Sequence, residues 1–435
     1  MRLFHVFRTP CFLPFAWMLS LTLPEVSRAE SLAQTDSVAD LTLEAATQLV
    51  LAKNPSLVAL NWEVQAKEAE MRQAGSRPNP ELTAELENAL GSGNFDGLES
   101  SETTVGITQA LELGGKRGKR RDAADAAAKL TQSERTARRL AVLRETQRRF
   151  TTVLAAQEHV AAAEDLVDIL ESTLEDVSRR VAAGGASPVE ESRARVALQS
   201  GRVDLDRVRR TLVWERQRLA ALWGTSTPDF LRARGDLGAI KAPPEWAALA
   251  SRVPSSPELR QRELEVDLRR ASLAVERSLG IPNVSVGAGM RWLNASDDRA
   301  FVFGVGLPLP LFDRNQSAAL AAAKRVSKSE AELAAAKVEL ETELARAYQE
   351  VSAAHAEAVS LRDLIIPEAE KAFTTSREAF RQGLLRLTDV LDTERTLFEL
   401  KDRHVDSLTR YHNRVADLEE LLGGPLESAI EEDEK

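Results

Sequence analysis

Asn54-Pro55-Ser56-Leu57 and Ser256-Pro257-Glu258-Leu259 are the two stretches that decide the fold, because the second restates the first roughly 200 positions later. Other echoes keep the same spacing. Pro78-Asn79 returns as Pro282-Asn283, and Val105-Gly106-Ile107 is echoed by Phe303-Gly304-Val305. Leu222-Trp223-Gly224 returns as Leu422-Gly423. A period this long points to a duplicated half and not to a short solenoid repeat. Each half reads helix, strand, strand, very long helix, glycine turn, helix.

The long helices follow from composition. Lys119 to Val181 contains no proline or glycine and is dominated by alanine, leucine, arginine and glutamate, all strong helix formers. Some 65 residues at 1.5 Å each make a rod of roughly 100 Å. The second copy, Ser317 to Arg381, is equally long, and Pro367 should kink it by removing an amide donor. Glycine turns end both rods: Gly184-Gly185-Ala186-Ser187-Pro188 in the first half, Gly383-Leu384-Leu385 in the second. Ser187 before Pro188 is a strong cap and first-turn signal for the returning helix. The returning helices (190–223 and 387–422) and the leading ones (41–74 and 246–279) are half as long. The lengths imply that pairs of half-length helices stack end to end beside a full-length rod, since an amphipathic rod needs cover along all of it.

Four short segments alternate with period two. Leu82, Ala84 and Leu86 face away from Thr83, Glu85 and Glu87; Val105 and Ile107 share a face. Val284, Val286, Ala288, Met290 and Trp292 form a third ladder, and Phe301 to Leu309 a fourth, closed by Pro308 and Pro310. One-sided alternation in short strands separated by Gly, Asn, Asp and Ser is the pattern of a membrane β-barrel. Four strands cannot close a barrel, and open edges in lipid leave backbone groups unpaired. The expectation is therefore an α+β chain of long helical hairpins that contributes four strands to a barrel shared between copies; three copies give about twelve strands.

The expected organisation is a signal peptide over 1–29, an N-terminal lead over 30–40, a first repeat over 41–224, a linker over 225–244, a second repeat over 245–423 and an acidic tail over 424–435. Arg2 and Arg8, the apolar Cys11 to Leu23 stretch and Ser27-Arg28-Ala29 carry the signal reading. Cys11, the single cysteine, would leave with it. At 29% charged, 5% aromatic and net charge −10, the chain suits solvated helices and argues against a nucleic-acid partner.

These features together resemble the TolC-like outer-membrane efflux proteins over about residues 41–423. Arg77-Pro78-Asn79-Pro80-Glu81-Leu82, Leu111-Glu112-Leu113-Gly114-Gly115-Lys116-Arg117, Ser187-Pro188-Val189-Glu190-Glu191-Ser192-Arg193-Ala194 and Leu219-Ala220-Ala221-Leu222-Trp223-Gly224 are similar to the heavy-metal branch of that family. The resemblance implies a homotrimer with an outer-membrane barrel and a helical periplasmic tunnel, docked to a periplasmic adaptor and a proton-driven inner-membrane pump of the RND type. It implies that Asp389 and Asp392, which are i, i+3 on one helix face, line the periplasmic aperture. It also implies that Gly184, Gly185, Ser187, Pro188, Gly383, Leu384 and Leu385 form the adaptor-docking tips. Taken alone, without the resemblance, the two aspartates read first as dipole-compensating acids at an ordinary solvated helix start.

No enzyme is expected, since no nucleophile–base arrangement stands out. No cofactor and no resident metal site are expected either: the four histidines after the signal, His159, His355, His404 and His412, show no ligand clustering. Gly114-Gly115-Lys116-Arg117-Gly118-Lys119 lacks the spacing of a phosphate loop. The basic run Lys116, Arg117, Lys119, Arg120, Arg121 reads as a solvated cluster at the membrane boundary, facing lipid head groups. A passive duct for divalent heavy-metal cations is the leading function. The alternatives are the same duct for organic drugs or exported polypeptides, and a secreted coiled-coil scaffold or periplasmic adaptor.

Overall fold

The computed structural model describes residues 40–426. The signal peptide expected over 1–29, most of the N-terminal lead and the tail beyond 426 lie outside the described residues. The chain runs β1 (Leu41–Thr42), α1 (Leu43–Lys53), α2 (Pro55–Ala74), β2 (Glu81–Glu87), β3 (Glu102–Leu111), α3 (Lys116–Ala182) and α4 (Pro188–Ala220). It continues through β4 (Ala233–Arg234), α5 (Trp246–Ala250), α6 (Pro257–Leu279), β5 (Val284–Leu293), β6 (Asp298–Gly306), α7 (Gln316–Ser360), α8 (Ile366–Arg381) and α9 (Leu387–Leu422).

The leading helices are not continuous, as the sequence reading had them. Asn54 ends α1 and caps α2, its side chain accepting from the Ser56 and Leu57 amides with Pro55 in the first turn. Ser256 does the same for α6, accepting from Leu259 ahead of Pro257. A buried cap side chain competes with helix continuation and wins, because proline cannot donate to the preceding turn. The fourth strand lies three residues earlier than the expected Phe301 to Leu309, spanning Asp298–Gly306 and stopping before the prolines.

These breaks make the joints between stacked half-length helices. The Asn54 amide donates to Leu222 O at 2.8 Å, and Gly224, with φ +82°, packs against Pro55. At the second joint Gly423 lies against Pro257, where a Cβ would come within 2.6 Å of the ring, and Arg252 donates to Pro425 O at 3.0 Å. So α4 runs into α2, and α9 into α6.

The helices form one layer. α2 and α4 pack on one side of α3, α6 and α9 pack between α3 and α7, and α8 extends α7 beside α9. Among the described residues, α2/α4 on one side and α7/α8 on the other therefore have no further helix beyond them, although near the turns arginines of α3 and α8 reach from each of these two helices to the other. Its core is a string of clusters. Phe150, Val153 and Leu219 lie near the first joint; Leu340, Leu344, Val351 and Leu418 near the second; Val177, Phe373, Phe380, Leu387 and Val390 toward the glycine turns. Between α7 and α8 the helix widens into a π-turn, Leu361–Ile365, two residues before Pro367. The expected proline effect is thus a wider turn that accommodates the ring and the missing donor.

The four long strands pair antiparallel in the order β2-β3-β5-β6. Register brings Leu82 opposite Ile107, Ile107 opposite Ala288, and Ala288 opposite Phe303. One face of the sheet is therefore apolar across all four strands at its middle, with Leu82, Ile107, Phe301, Phe303 and Val305 all largely exposed on this chain, and Thr103, Gln109 and Arg299 toward its ends. The other face carries Glu81, Thr83, Glu85 and Glu87, then Glu102 and Thr104, then Arg291, then Asp298. Arg291 pairs with Glu87 at 3.0 Å and Glu102 at 2.9 Å on that face. β1 and β4 make a separate parallel pair that ties the start of α1 to the 225–244 segment. No helix among the described residues is long and apolar enough to cross a membrane.

Candidate functional site

The two glycine turns lie at the same end of the helical layer. Each ends its helix in the same way. Gly184 N donates to Val181 O and Gly185 N to Arg180 O; Gly383 N donates to Phe380 O and Leu384 N to Ala379 O. Gly184 and Gly383 hold φ of +75° and +79°, the left-handed C-cap that glycine adopts without a Cβ penalty. Ser187 Oγ accepts from Val189 N at 3.2 Å and Pro188 opens α4. Leu384 is 74% exposed, and Leu385 and Val189 are exposed with it.

Arginines that no sequence motif marks bind the two turns to each other. Arg180 of α3 donates to Phe380 O at 2.6 Å and places its guanidinium 4.5 Å from the Phe380 ring centre. Asp176 of α3 pairs with Arg381 of α8 at 3.1 Å and also with Arg179. Burial pushes the Asp176 carboxyl up, but the two guanidiniums more than offset this and hold it below the usual carboxylate range. Arg377 of α8 donates to Ser172 Oγ of α3 at 2.6 Å. Only long-range pairing reveals these partners, which stand about 200 positions apart.

Asp389 and Asp392 are both exposed in the first turns of α9. Asp389 accepts from the Arg386 amide at 3.2 Å, so its carboxylate also serves the helix start. The structure places the two on the same stretch as the turns, beside Leu387 and Val390, which pack inward.

The basic run is a correction. Lys116 is 6% exposed, and its ammonium reaches Asn283 Oδ1 at 2.5 Å. Arg117 donates to Gly75 O at 2.6 Å, and Arg120 pairs with Glu112. Three of these cations therefore lock the strand–helix junction to α2 and to Asn283 of the second half, so the run is not a freely solvated cluster. His159 sits between Asp402 (3.1 Å) and Asp406 (3.4 Å), whose carboxylates raise its pKa. Among the described residues no group of three or more His, Cys, Asp or Glu is placed to hold a metal ion.

A sheet with one bare apolar face, standing on long helical hairpins with paired tips, is the geometry of an outer-membrane duct. The sequence profile of the outer membrane efflux protein family matches residues 46–225 and 252–424. The chain belongs to the outer membrane efflux protein family. It is 33% identical over 421 residues to the cobalt-zinc-cadmium resistance protein CzcC of Cupriavidus metallidurans, covering 95% of this chain and 99% of that one. It is 32% identical to the nickel and cobalt resistance protein CnrC of the same organism, over 69% of this chain and 70% of the relative. Among solved structures, a membrane protein from Pseudomonas aeruginosa superposes with a TM-score of 0.76 at 21% identity, covering 94% of this chain and 97% of that one. CusC superposes at 0.71 with 20% identity, over 89% and 93%. This member of the outer membrane efflux protein family is a channel and not an enzyme, and it resides in the outer membrane with its helices in the periplasm.

Proposed function

We propose that the chain assembles as a homotrimer whose sheets close an outer-membrane barrel of about twelve strands, and that the trimer conducts divalent heavy-metal cations outward as the passive end of a tripartite, proton-driven system. The observation that carries the assembly is that β2 and β6 are open edges at the same two sides where, among the described residues, α2/α4 and α7/α8 have no further helix beyond them. An unpaired strand edge in lipid costs several kcal/mol per backbone group, so another copy's β6 at β2 relieves it. That pairing sets the neighbour's α7/α8 beside α4. Val189, Val196 and Val203 rise along α4 at seven-residue intervals toward Trp214, all exposed, on the side away from Ala194, Leu198 and Gly201, which face α3. A heptad stripe is the signature of a helix partner, and Val338 and Leu364 are exposed on the α7/α8 side.

Cargo rests on the relatives, whose names record resistance to cobalt, zinc, cadmium and nickel. Glu81, Glu85, Glu87, Glu102 and Asp298 on the polar sheet face, and Asp389 and Asp392 near the turns, would line a cation-attracting path. The turns at Gly184–Pro188 and Gly383–Leu385 would be the periplasmic tips that meet an adaptor and, through it, an inner-membrane RND pump. Mass measurement in detergent should give three copies; a stable, folded monomer would overturn the assembly. Deletion of the gene should sensitise cells to cobalt, zinc and cadmium and spare resistance to organic drugs; the reverse pattern would establish the drug duct instead.

A further inference from the structure

The apolar face of the paired sheet is too short for a membrane. Thr103, Trp292 and Arg299 stand on one rung of the register, and the last apolar rung inside the sheet joins Val286 to Val305. Val305 lies six residues on from Arg299. Six residues rise about 20 Å along a strand, or about 15 Å once it tilts by the usual ~40°, against an apolar band about 25 Å tall. The missing height is present just past the strands. β3 runs into Leu111-Glu112-Leu113 and β6 into Leu309-Pro310-Leu311-Phe312, the same leucine spacing at the end of both strand pairs. Leu111 pairs with Val284, which puts it on the face of Ile107 and Ala288. Leu113 is 42% exposed, Leu309 70% and Phe312 92%. Leu113 lies ten residues beyond Thr103, and Leu309 ten beyond Arg299. At the same tilt ten residues give about 25 Å.

These segments gather at one place. A Cβ on Gly114 would come within 2.6 Å of Ile281, and one on Gly280 within 2.6 Å of Arg314 O. The exits from β3 and β6 therefore both abut Gly280-Ile281, at the entry to β5. Ile281 is itself exposed there. Cations stand at the same level. Lys116, Arg117 and Arg120 are occupied at the junction, but Lys119, Arg121 and Arg314 are exposed and pair with no carboxylate among the described residues. Arg314 spends its Nε on Pro310 O at 3.0 Å.

We propose that Leu111–Leu113 and Leu309–Phe312 form a collar that seats the sheet in the inner leaflet of the outer membrane. Acyl chains cover the leucines and Phe312, and phospholipid phosphates meet Lys119, Arg121 and Arg314. Trp292 then marks the outer aromatic girdle and Phe312 the inner one. The membrane boundary lies beyond the last paired strand residue, in segments that are not strand. Gln109 is the polar side chain that β3 carries within this height. Its amide donates to Pro78 O and Ala110 O, both at 3.0 Å, as a donor in lipid must find protein partners. Lipid is the occupant for two reasons. The leucines continue the face that the sheet itself turns outward, and unpaired cations along an apolar rim match an anionic headgroup above acyl chains.

The collar rests on the sheet's apolar face lying in lipid, and a control tests that separately. In the full-length protein with Cys11→Ser, single nitroxides at Phe312→Cys, Phe303→Cys and Ser92→Cys are compared in vesicles of phosphatidylcholine and phosphatidylglycerol. Oxygen, which concentrates among acyl chains, should relax the labels at 312 and 303, and a water-soluble nickel chelate should not. Ser92→Cys, in the loop after β2, should show the reverse. Nickel access at 312 with oxygen access at 303 would overturn the collar and leave the barrel standing. Nickel access at both would overturn the lipid-facing sheet and the collar with it. A label at 312 that neither reagent reaches would mean that a second copy covers Phe312, which also overturns the collar. The headgroup contact has its own readout. Adding phosphatidylglycerol to phosphatidylcholine should raise the melting temperature of the strands in the parent. Lys119→Gln/Arg121→Gln/Arg314→Gln should lose most of that rise and melt as the parent does in phosphatidylcholine alone. A triple variant that keeps the full rise would overturn the phosphate contacts.

Discussion

Arg180→Ala is the sharpest perturbation of the tip. Arg180 supplies a charged donor to Phe380 O at 2.6 Å, a weaker one to Gly185 O at 3.3 Å, and a guanidinium 4.5 Å from the Phe380 ring centre. A hydrogen bond to a charged group contributes about 1.5–3 kcal/mol, and an exposed cation–π contact about 0.5–1 kcal/mol. Together they put the cost near 2–4 kcal/mol, an upper bound because Asp176–Arg381 remains. At about 1.4 kcal/mol per tenfold, the balance between joined and separated turns should move by one to two orders of magnitude. In planar bilayers Arg180→Ala should raise open probability, while Arg180→Lys, which keeps charge but not the fork, should fall between it and the parent. Thermal unfolding of the strands should not move, because the sheet lies at the other end of the rods. A double-mutant cycle with Phe380→Leu should give a coupling of at least about 0.5 kcal/mol. Unchanged conductance together with zero coupling would refute the pinning of one turn to the other.

Two further outcomes test other levels of the structure. Gly423→Ala should destabilise by about 2–4 kcal/mol, combining left-handed strain with overpacking against the Pro257 ring. Gly383→Ala, where the new Cβ meets only Arg180 Nη2 at 3.8 Å, should cost about 1–2 kcal/mol; equal losses in melting temperature would deny the joint its tight packing. At the candidate aperture, Asp389→Asn retains an acceptor for the Arg386 amide and removes charge, so Asp389→Asn/Asp392→Asn should lower cation selectivity and weaken block by multivalent cations without loss of helix. Selectivity indistinguishable from the parent would mean that these acids serve the helix start alone.

The sequence alone determined the element order, the two long rods, the glycine turns and the four strands. All of these are local: helix propensity summed over 60 residues or more, a left-handed residue where a helix must end, and period-two alternation are each written within one segment. It also suggested stacked half-length helices, because the lengths agree. The breaks at Asn54 and Ser256 were visible only as an echo. Both cap their own helix locally, but the helix–helix joint depends on the long-range partners Leu222, Gly224 and Gly423. Tertiary structure alone decided which charges are paired. Lys116 looked solvated within its basic run and turned out to be tethered to Asn283, 167 positions away. Asp176, Arg180, Arg377 and Glu394 carry no mark in the chain that separates them from dozens of other helix-surface charges. What distinguishes them is the register of α3, α8 and α9, in which α8 runs parallel to α3 and α9 antiparallel to both, bringing Arg377 to Ser172 and Arg381 to Asp176 and burying Glu394. That register is set by the packing of Val177, Phe373, Phe380, Leu387 and Val390, a cluster assembled from both halves of the chain, and no single segment contains it.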